Sequence, residues 1–204
     1  MTAAATTGDK PVRVTKRRAE TRARLIEAAF QVFADKGFGH VRIEDVCAAA
    51  GYTRGAFYSQ FETLEELFFL LYDEWATRTA DQVRSAMEGA DALTDLSGVV
   101  DRVVATLLLE RDWLLIKMDF LMHAARNPDL AQRWEAHRAQ LRAAIEERLI
   151  ASGIEFHESI DTVTETARAV IAVYDGVSVQ LLLDGDQTAA KAWLKQLMNV
   201  VLTR

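Results

Sequence analysis

Residues 41–61 read VRIEDVCAAAGYTRGAFYSQF, and the spacing within this stretch decides the fold. Ile43, Val46, Cys47 and Ala50 recur at helical intervals and predict a short helix over 43–50 with one apolar face. Gly51 follows, a residue that can leave a helix in the left-handed conformation. Thr53 is placed to cap a second short helix over about 54–60, because its hydroxyl can accept an orphan N–H. Phe57 and Phe61, four residues apart, point inward from that helix. The small run Cys47, Ala48, Ala49 and Ala50 lets the two helices approach closely. Two short helices joined by a tight, glycine-containing turn form a helix-turn-helix.

The second helix is too short to stand alone. If Phe57 and Phe61 hold it, its other face is free to enter a major groove. That face carries Arg54, Gly55, Ala56, Tyr58, Ser59 and Gln60. A guanidinium can bridge guanine O6 and N7, a glutamine can pair with adenine, and an alanine methyl can touch that of thymine. Gly55 lets the backbone come near the duplex, and the Tyr58 hydroxyl suits a phosphate.

Upstream, Leu25, Ala28, Ala29, Val32 and Phe33 form one apolar stripe and predict a helix from Lys16 to Lys36, closed by Gly37. Its basic cluster, Lys16, Arg17, Arg18, Arg22 and Arg24, suits phosphates or a minor groove. Residues 1–15 lack an apolar period and read as a flexible basic arm. The charge balance agrees. Residues 1–60 hold ten Lys/Arg against six Asp/Glu, and the remainder holds fourteen against twenty-four, for a total of −6. One end of an acidic chain is therefore built to meet a polyanion.

Thr21-Arg22 leading into Leu25-Ile26-Glu27-Ala28-Ala29, then Phe33-Ala34-Asp35-Lys36-Gly37-Phe38, then Val46 through Phe61, then Glu65-Glu66-Leu67, resembles the N-terminal domain of the TetR (tetracycline repressor) family over about residues 20–70. The resemblance implies homodimers that bind near-palindromic double-stranded operators and usually repress nearby genes, released by a small molecule bound in the C-terminal part. With it, the DNA-contact set is Arg22, Arg42, Thr53, Arg54, Gly55, Ala56, Tyr58, Ser59 and Gln60. Three positions depart from the family pattern. Val41-Arg42 stand where Ser or Thr is common, Leu64 where a phosphate-binding lysine is common, and Cys47 where alanine is usual. Arg42 cannot cap as a hydroxyl does, but it can reach a phosphate.

Beyond the reader, strong helix formers dominate and strand-like alternation is missing, so the expected fold is all-α with about nine helices. The expected division is a helix-turn-helix domain over 16–62 and a regulatory and dimerisation body over 63–204. The body divides into helices over 63–87, 93–109, 112–126, 129–152, 157–184 and 187–203. The last two are the expected homodimer surface. Val163, Ala167, Val170, Ile171, Tyr174, Val177, Ser178, Leu181 and Leu182 make a broad apolar face on the first of them, and Trp193, Leu197, Val200 and Val201 on the second. A pocket for a small hydrophobic or amphipathic effector is expected among the large apolar residues of the body. Its expected lining is Trp75, Trp113, Met118, Asp119 and Met122, with His123, Trp134, His137 and Tyr174.

Other classes are poorly served. There is no nucleophile–base constellation, no metal-ligand cluster and no phosphate loop, so neither an enzyme nor a cofactor or metal protein is expected. The single cysteine, Cys47, reads as a small packed residue and forbids an internal disulfide. No signal peptide and no run of ~20 apolar residues is seen, which points to a cytoplasmic protein with no membrane segment. A second reading keeps the DNA-binding half and makes the regulator constitutive, or controlled by a protein partner, with no small-molecule ligand.

Overall fold

The stripe on the first helix buries Leu25, Ala28, Ala29, Val32 and Phe33, the five positions its periodicity selects. The computed structural model describes residues 16–88, 96–107, 109–153 and 162–202. Among them are nine α-helices, a short 3-10 turn and no strand. α1 (Lys16–Lys36) is followed by the 3-10 turn (Phe38–His40), α2 (Ile43–Ala50) and α3 (Arg54–Tyr58). Then come α4 (Leu64–Met87), α5 (Leu96–Thr106), α6 (Arg111–Ala124), α7 (Pro128–Ser152), α8 (Val163–Asp184) and α9 (Gln187–Leu202). The N-terminal arm, residues 93–95 and 203, and the first residues expected in the helix over 157–184 lie outside the described residues.

Local chemistry sets the ends. Gly37 stops α1 at φ +76°, a conformation other residues rarely adopt, with its N–H donating to the Phe33 carbonyl at 2.9 Å. Thr63 and Thr162 cap α4 and α8 by accepting the N–H of Glu66 and of Glu165, both at 3.1 Å. Pro128 opens α7 at its first turn, where a missing N–H costs nothing.

The reader and the body share one hydrophobic core. Phe68 of α4 lies face to face with Phe120 of α6, ring centroids 3.5 Å apart and planes 5° off parallel. Phe38, from the 3-10 turn of the reader, meets Phe120 edge-on at 4.8 Å and Phe68 at 5.9 Å. α6 thus touches α1 and the 3-10 turn on one side and α7 and α8 on the other. α5 packs on α4 and α9, and α8 packs on α7 and α9.

The expected apolar face of α8 is largely spent inside this core. Ala167, Ile171, Val177, Ser178 and Leu181 are buried. The face left outside carries Ala172, Gly176, Val179 and Leu183, about half a turn away. On α9, Trp193 and Val200 remain exposed while Ala190, Leu194 and Met198 turn inward. By length and composition α8 is apolar enough to cross a membrane. In this fold its inner face is occupied by neighbouring helices, and its Asp175 is ion-paired.

Replacing Phe120 with alanine is expected to destabilise the protein by about 3–5 kcal/mol, since it opens a cavity at the centre of the stack. Urea unfolding checks this, and a loss under about 1 kcal/mol would show that the site collapses to fill the space.

Candidate nucleic-acid interface and body cavity

The turn between α2 and α3 is closed by two backbone bonds. Gly51, at φ +72°, donates to the Ala48 carbonyl at 3.3 Å, and Tyr52 donates to the Cys47 carbonyl at 2.9 Å. These are the two bonds of a Schellman ending, which only a left-handed residue allows. Thr53 accepts the Ala56 N–H at 3.3 Å and starts α3. Phe57 and Phe61 are buried beneath it. α3 ends at Tyr58, and Ser59 and Gln60 form the turn after it.

The departure at Arg42 has a structural answer. Where a hydroxyl would cap α2, the capping runs in reverse: the Arg42 N–H donates to Asp45 at 2.9 Å. Asp45 also accepts from Lys36 Nζ at 2.6 Å. The Lys36 bond first, and then the Arg42 N–H, hold the Asp45 carboxyl below the usual carboxylate range. The Arg42 side chain is left exposed at the rim of the reader.

The arginines divide by role. Arg22 lies over the Phe61 ring at 4.8 Å and donates to the Gln60 carbonyl at 3.4 Å. Arg18 donates to the Ser59 carbonyl at 3.3 Å and to the Gln60 side chain at 3.5 Å. Both tie α1 to the C-terminal end of α3, whose unsatisfied carbonyls attract cations. Arg22 is therefore engaged with protein rather than aimed outward. Arg54 faces outward, reaching Glu44 at 3.1 Å and the Tyr58 hydroxyl at 3.4 Å. Tyr58 is half exposed beside it. Ser59 bonds its own helix at the Ala56 carbonyl, 2.7 Å away, so its hydroxyl is partly used. An open cleft runs between α1 and this face, lined by Arg17, Arg18 and Arg24 with Thr53, Ala56 and Gln60. Cys47 is buried, and burial pushes its thiol up, away from the reactive thiolate.

The body contains a second opening of about 270 Å³, bounded by α4, α5, α6, α7, α8 and α9. Trp75, Trp113 and Tyr174 line it, as the sequence suggests. The other six expected residues lie elsewhere. Asp119 stands against Gly37, its Oδ2 2.7 Å from where a Cβ on that glycine would fall. His123 meets the Phe38 ring at 5.1 Å and Glu65 at 3.7 Å. Met122 is exposed, and Met118 is half-buried outside the cavity lining. Trp134 is packed into the aromatic core against Tyr72 and Phe120. His137 stacks on Phe69 at 4.5 Å and pairs with Asp73 at 2.8 Å. The helical period explains the misplacement on α6. Trp113 and Lys117 share one face, whereas Asp119 and His123 sit about a third of a turn round and face the reader.

Sequence reading missed the cavity's charged wall. Lys117 is 7% exposed and pairs with Asp175 at 3.1 Å. Arg138 meets the other oxygen of Asp175 at 2.9 Å. Tyr72 and Tyr174 are pushed up to about 12 by burial, so both keep their phenolic protons. A signal was available: Lys117 lies four residues after Trp113 on an otherwise apolar helix face.

A helix-turn-helix reader fused through a shared core to a hollow helical body defines a DNA-binding transcriptional regulator. The family model for bacterial regulatory proteins of the tetR family matches residues 25–71, and the tetracyclin repressor-like C-terminal domain model matches residues 84–203. The chain belongs to the tetR family. Among its relatives is the HTH-type transcriptional repressor AcnR of Corynebacterium efficiens, 29% identical over 70% of this chain and 68% of that one. Two solved structures share the fold. The fatty acid degradation regulator FadR of Bacillus halodurans has a TM-score of 0.72 at 21% identity, over 89% of this chain and 94% of that one. A regulator from Saccharomonospora viridis, solved in complex with choline, has a TM-score of 0.67 at 19% identity, over 91% and 100%.

The Asp45 pairing predicts a pH effect. A carboxyl lowered in the folded state stabilises it above the unfolded-state value, and that contribution is lost as pH falls through the folded-state value. Asp45→Asn should therefore be less stable than the parent at neutral pH, with the gap closing in acid and narrowing in high salt. Chemical denaturation from about pH 7 down to about pH 2 measures it. A gap independent of pH would point to lost geometry rather than lost charge.

Proposed function

We propose that this chain is a homodimeric repressor that grips a near-palindromic operator with two copies of α3 and lets go when a small effector fills the body cavity. The observation that carries this reading is the placement of α6. Its Trp113 and Lys117 line the cavity, while its Asp119 and His123 rest against the reader. One rigid helix therefore touches both the effector space and the DNA-binding unit. The cavity itself favours a small molecule over the constitutive or protein-controlled alternative. In this reading residues 16–62 hold the operator, residues 1–15 add phosphate contacts, and residues 63–204 sense and dimerise.

At the groove, Arg54, Tyr58 and Gln60 read or anchor, while Thr53, Gly55, Ala56 and Ser59 set the approach of the backbone. Arg42 supplies a phosphate contact at the rim. Arg22 acts indirectly, by fixing the end of α3. The dimer forms through the outer faces of α8 and α9, where Gly176 permits close crossing and Val179, Leu183, Trp193 and Val200 supply exposed apolar surface. Two such helices from each copy make a four-helix bundle. The bundle fixes the spacing of the two α3 helices, which must match major grooves about 34–36 Å apart or a multiple of that. An effector that favours a different spacing releases the DNA.

Footprinting on the DNA upstream of the gene should show one protected site with two inverted half-sites. Arg54→Ala should weaken it about ten- to hundredfold and relax the preference at one base pair per half-site. An equal loss on all sequences would make Arg54 a phosphate contact instead.

Leu183 is 80% exposed in the single chain, so Leu183→Glu should leave the fold intact. It is expected to give a monomer by sedimentation that no longer protects the paired half-sites. A variant that stays dimeric would place the interface elsewhere.

A further inference from the structure

The charge of the cavity wall restricts what it can hold. Among the described residues that line it, Lys117, Arg138 and Arg148 are cationic, and Asp175 is the one carboxylate. Arg148 donates to the Ala80 carbonyl and lies ten residues along α7 from Arg138, about 15 Å away. The other three form a compact group, with Asp175 shared between Lys117 and Arg138. Two cations on one carboxylate leave a single positive charge at this end. The rest of the wall is apolar: Val83, Val99, Val103, Leu141, Ile145 and Met198 contribute to it.

We infer that the cavity takes an amphipathic monoanion, a medium-chain carboxylate by size, with its acid group on the Lys117–Arg138 side and its chain directed along α4 and α7. This rests on the reading of the cavity as the effector site. Burying an ammonium is costly unless opposite charge compensates it, and Asp175 compensates only one of the two cations. Burial pushes the Lys117 ammonium down from the ordinary lysine value, with Asp175 acting against that, so a second carboxylate would complete the compensation. The Tyr72 phenol, kept protonated by burial, adds a neutral group at the same end. At about 270 Å³ the cavity lies at the small end of the range for small-molecule sites, roughly 300–1,000 Å³, which suits a medium chain rather than a long one.

A cationic ligand is the natural rival, because aromatic rings crowd this end. Several of their faces are already taken. Lys117 Nζ lies over the Tyr174 ring at 4.9 Å, and Arg78 lies over Trp75 at 5.2 Å. Trp75 and Trp113 stack on each other at 5.0 Å, 3° off parallel. A quaternary or primary ammonium entering here would meet two resident cations.

The test uses the full-length protein and three probes of one chain length: octanoate, 1-octanol and octylammonium. Calorimetric titration is expected to show octanoate binding about ten- to hundredfold more tightly than either other probe, the worth of a charge-assisted bond. Lys117→Met should bring octanoate close to octanol and leave octanol unchanged, whereas Lys117→Arg should keep the preference. If Lys117→Met fails to fold, Arg138→Met on the more exposed rim should reduce the same preference. Equal or tighter binding of the alcohol or the ammonium overturns the inference, as does no binding by any probe, or a preference that survives these changes. Operator release is read separately. Selective octanoate binding without release overturns the effector reading and leaves the ligand class standing, while release by a preferred ammonium does the reverse.

Discussion

The stack of Phe68 on Phe120, with Phe38 set edge-on against it, is the contact on which the architecture depends. Phe38 belongs to the reader, Phe68 to the helix that leaves it, and Phe120 to the body. Three rings therefore join segments that a two-domain description would separate. Aromatic pairs in such geometries contribute about 0.5–1.5 kcal/mol each beyond the area they bury. Because the interior is packed to crystal-like density, the rings cannot absorb displacement by compressing. Phe120 of α6 thus bears directly on Phe38 and on the turn that leads into α2.

Charge in the reader is organised around the same constraint. A helix of five residues cannot hold itself. Arg18 and Arg22 therefore spend their cations on the carbonyls at its C-terminal end, and Phe57 and Phe61 anchor it from below. The surplus basic charge of the N-terminal region is thus not all available to a polyanion. Arg54 is differently placed. Its pair with Glu44 lies between two exposed side chains, and such surface pairs are worth little. The pair therefore leaves the Arg54 guanidinium on the outer face of α3 without locking it there.

The helix-turn-helix was legible because its signals are local. Gly51, the Thr53 cap, and the inward pair Phe57 and Phe61 act within a few residues of one another, and each has one cheap structural solution. Helix positions in the body were legible from periodicity in the same way. The faces were not. An apolar stripe says that a side is buried, not what buries it. On α8 most of the stripe expected at a dimer surface packs inside the single chain, and a narrower strip of small and apolar residues stays outside. On α6 the large residues run round the whole helix, so periodicity could not tell the cavity side from the reader side. The 3-10 turn at Phe38 carried no period at all. The Lys117–Asp175–Arg138 group was hidden for another reason: its members lie 58 and 37 residues apart and meet only after α6, α7 and α8 have packed.

A second column of rings gives the cavity a shorter route to the DNA-binding unit. Trp113 stacks on Trp75, and Trp75 lies nearly parallel to Phe30 of α1 at 6.1 Å. Trp113 and Trp75 are wall residues of the cavity, and Phe30 belongs to the helix whose arginines hold the end of α3. The column therefore runs from the cavity wall to the reader, while α6 makes a parallel contact through Phe120 to Phe38. At crystal-like packing density neither set of rings can absorb a displacement by compressing. The aromatic residues of α4 and α6 thus do more than fill the core: they join the cavity wall to α1 and to the 3-10 turn of the reader.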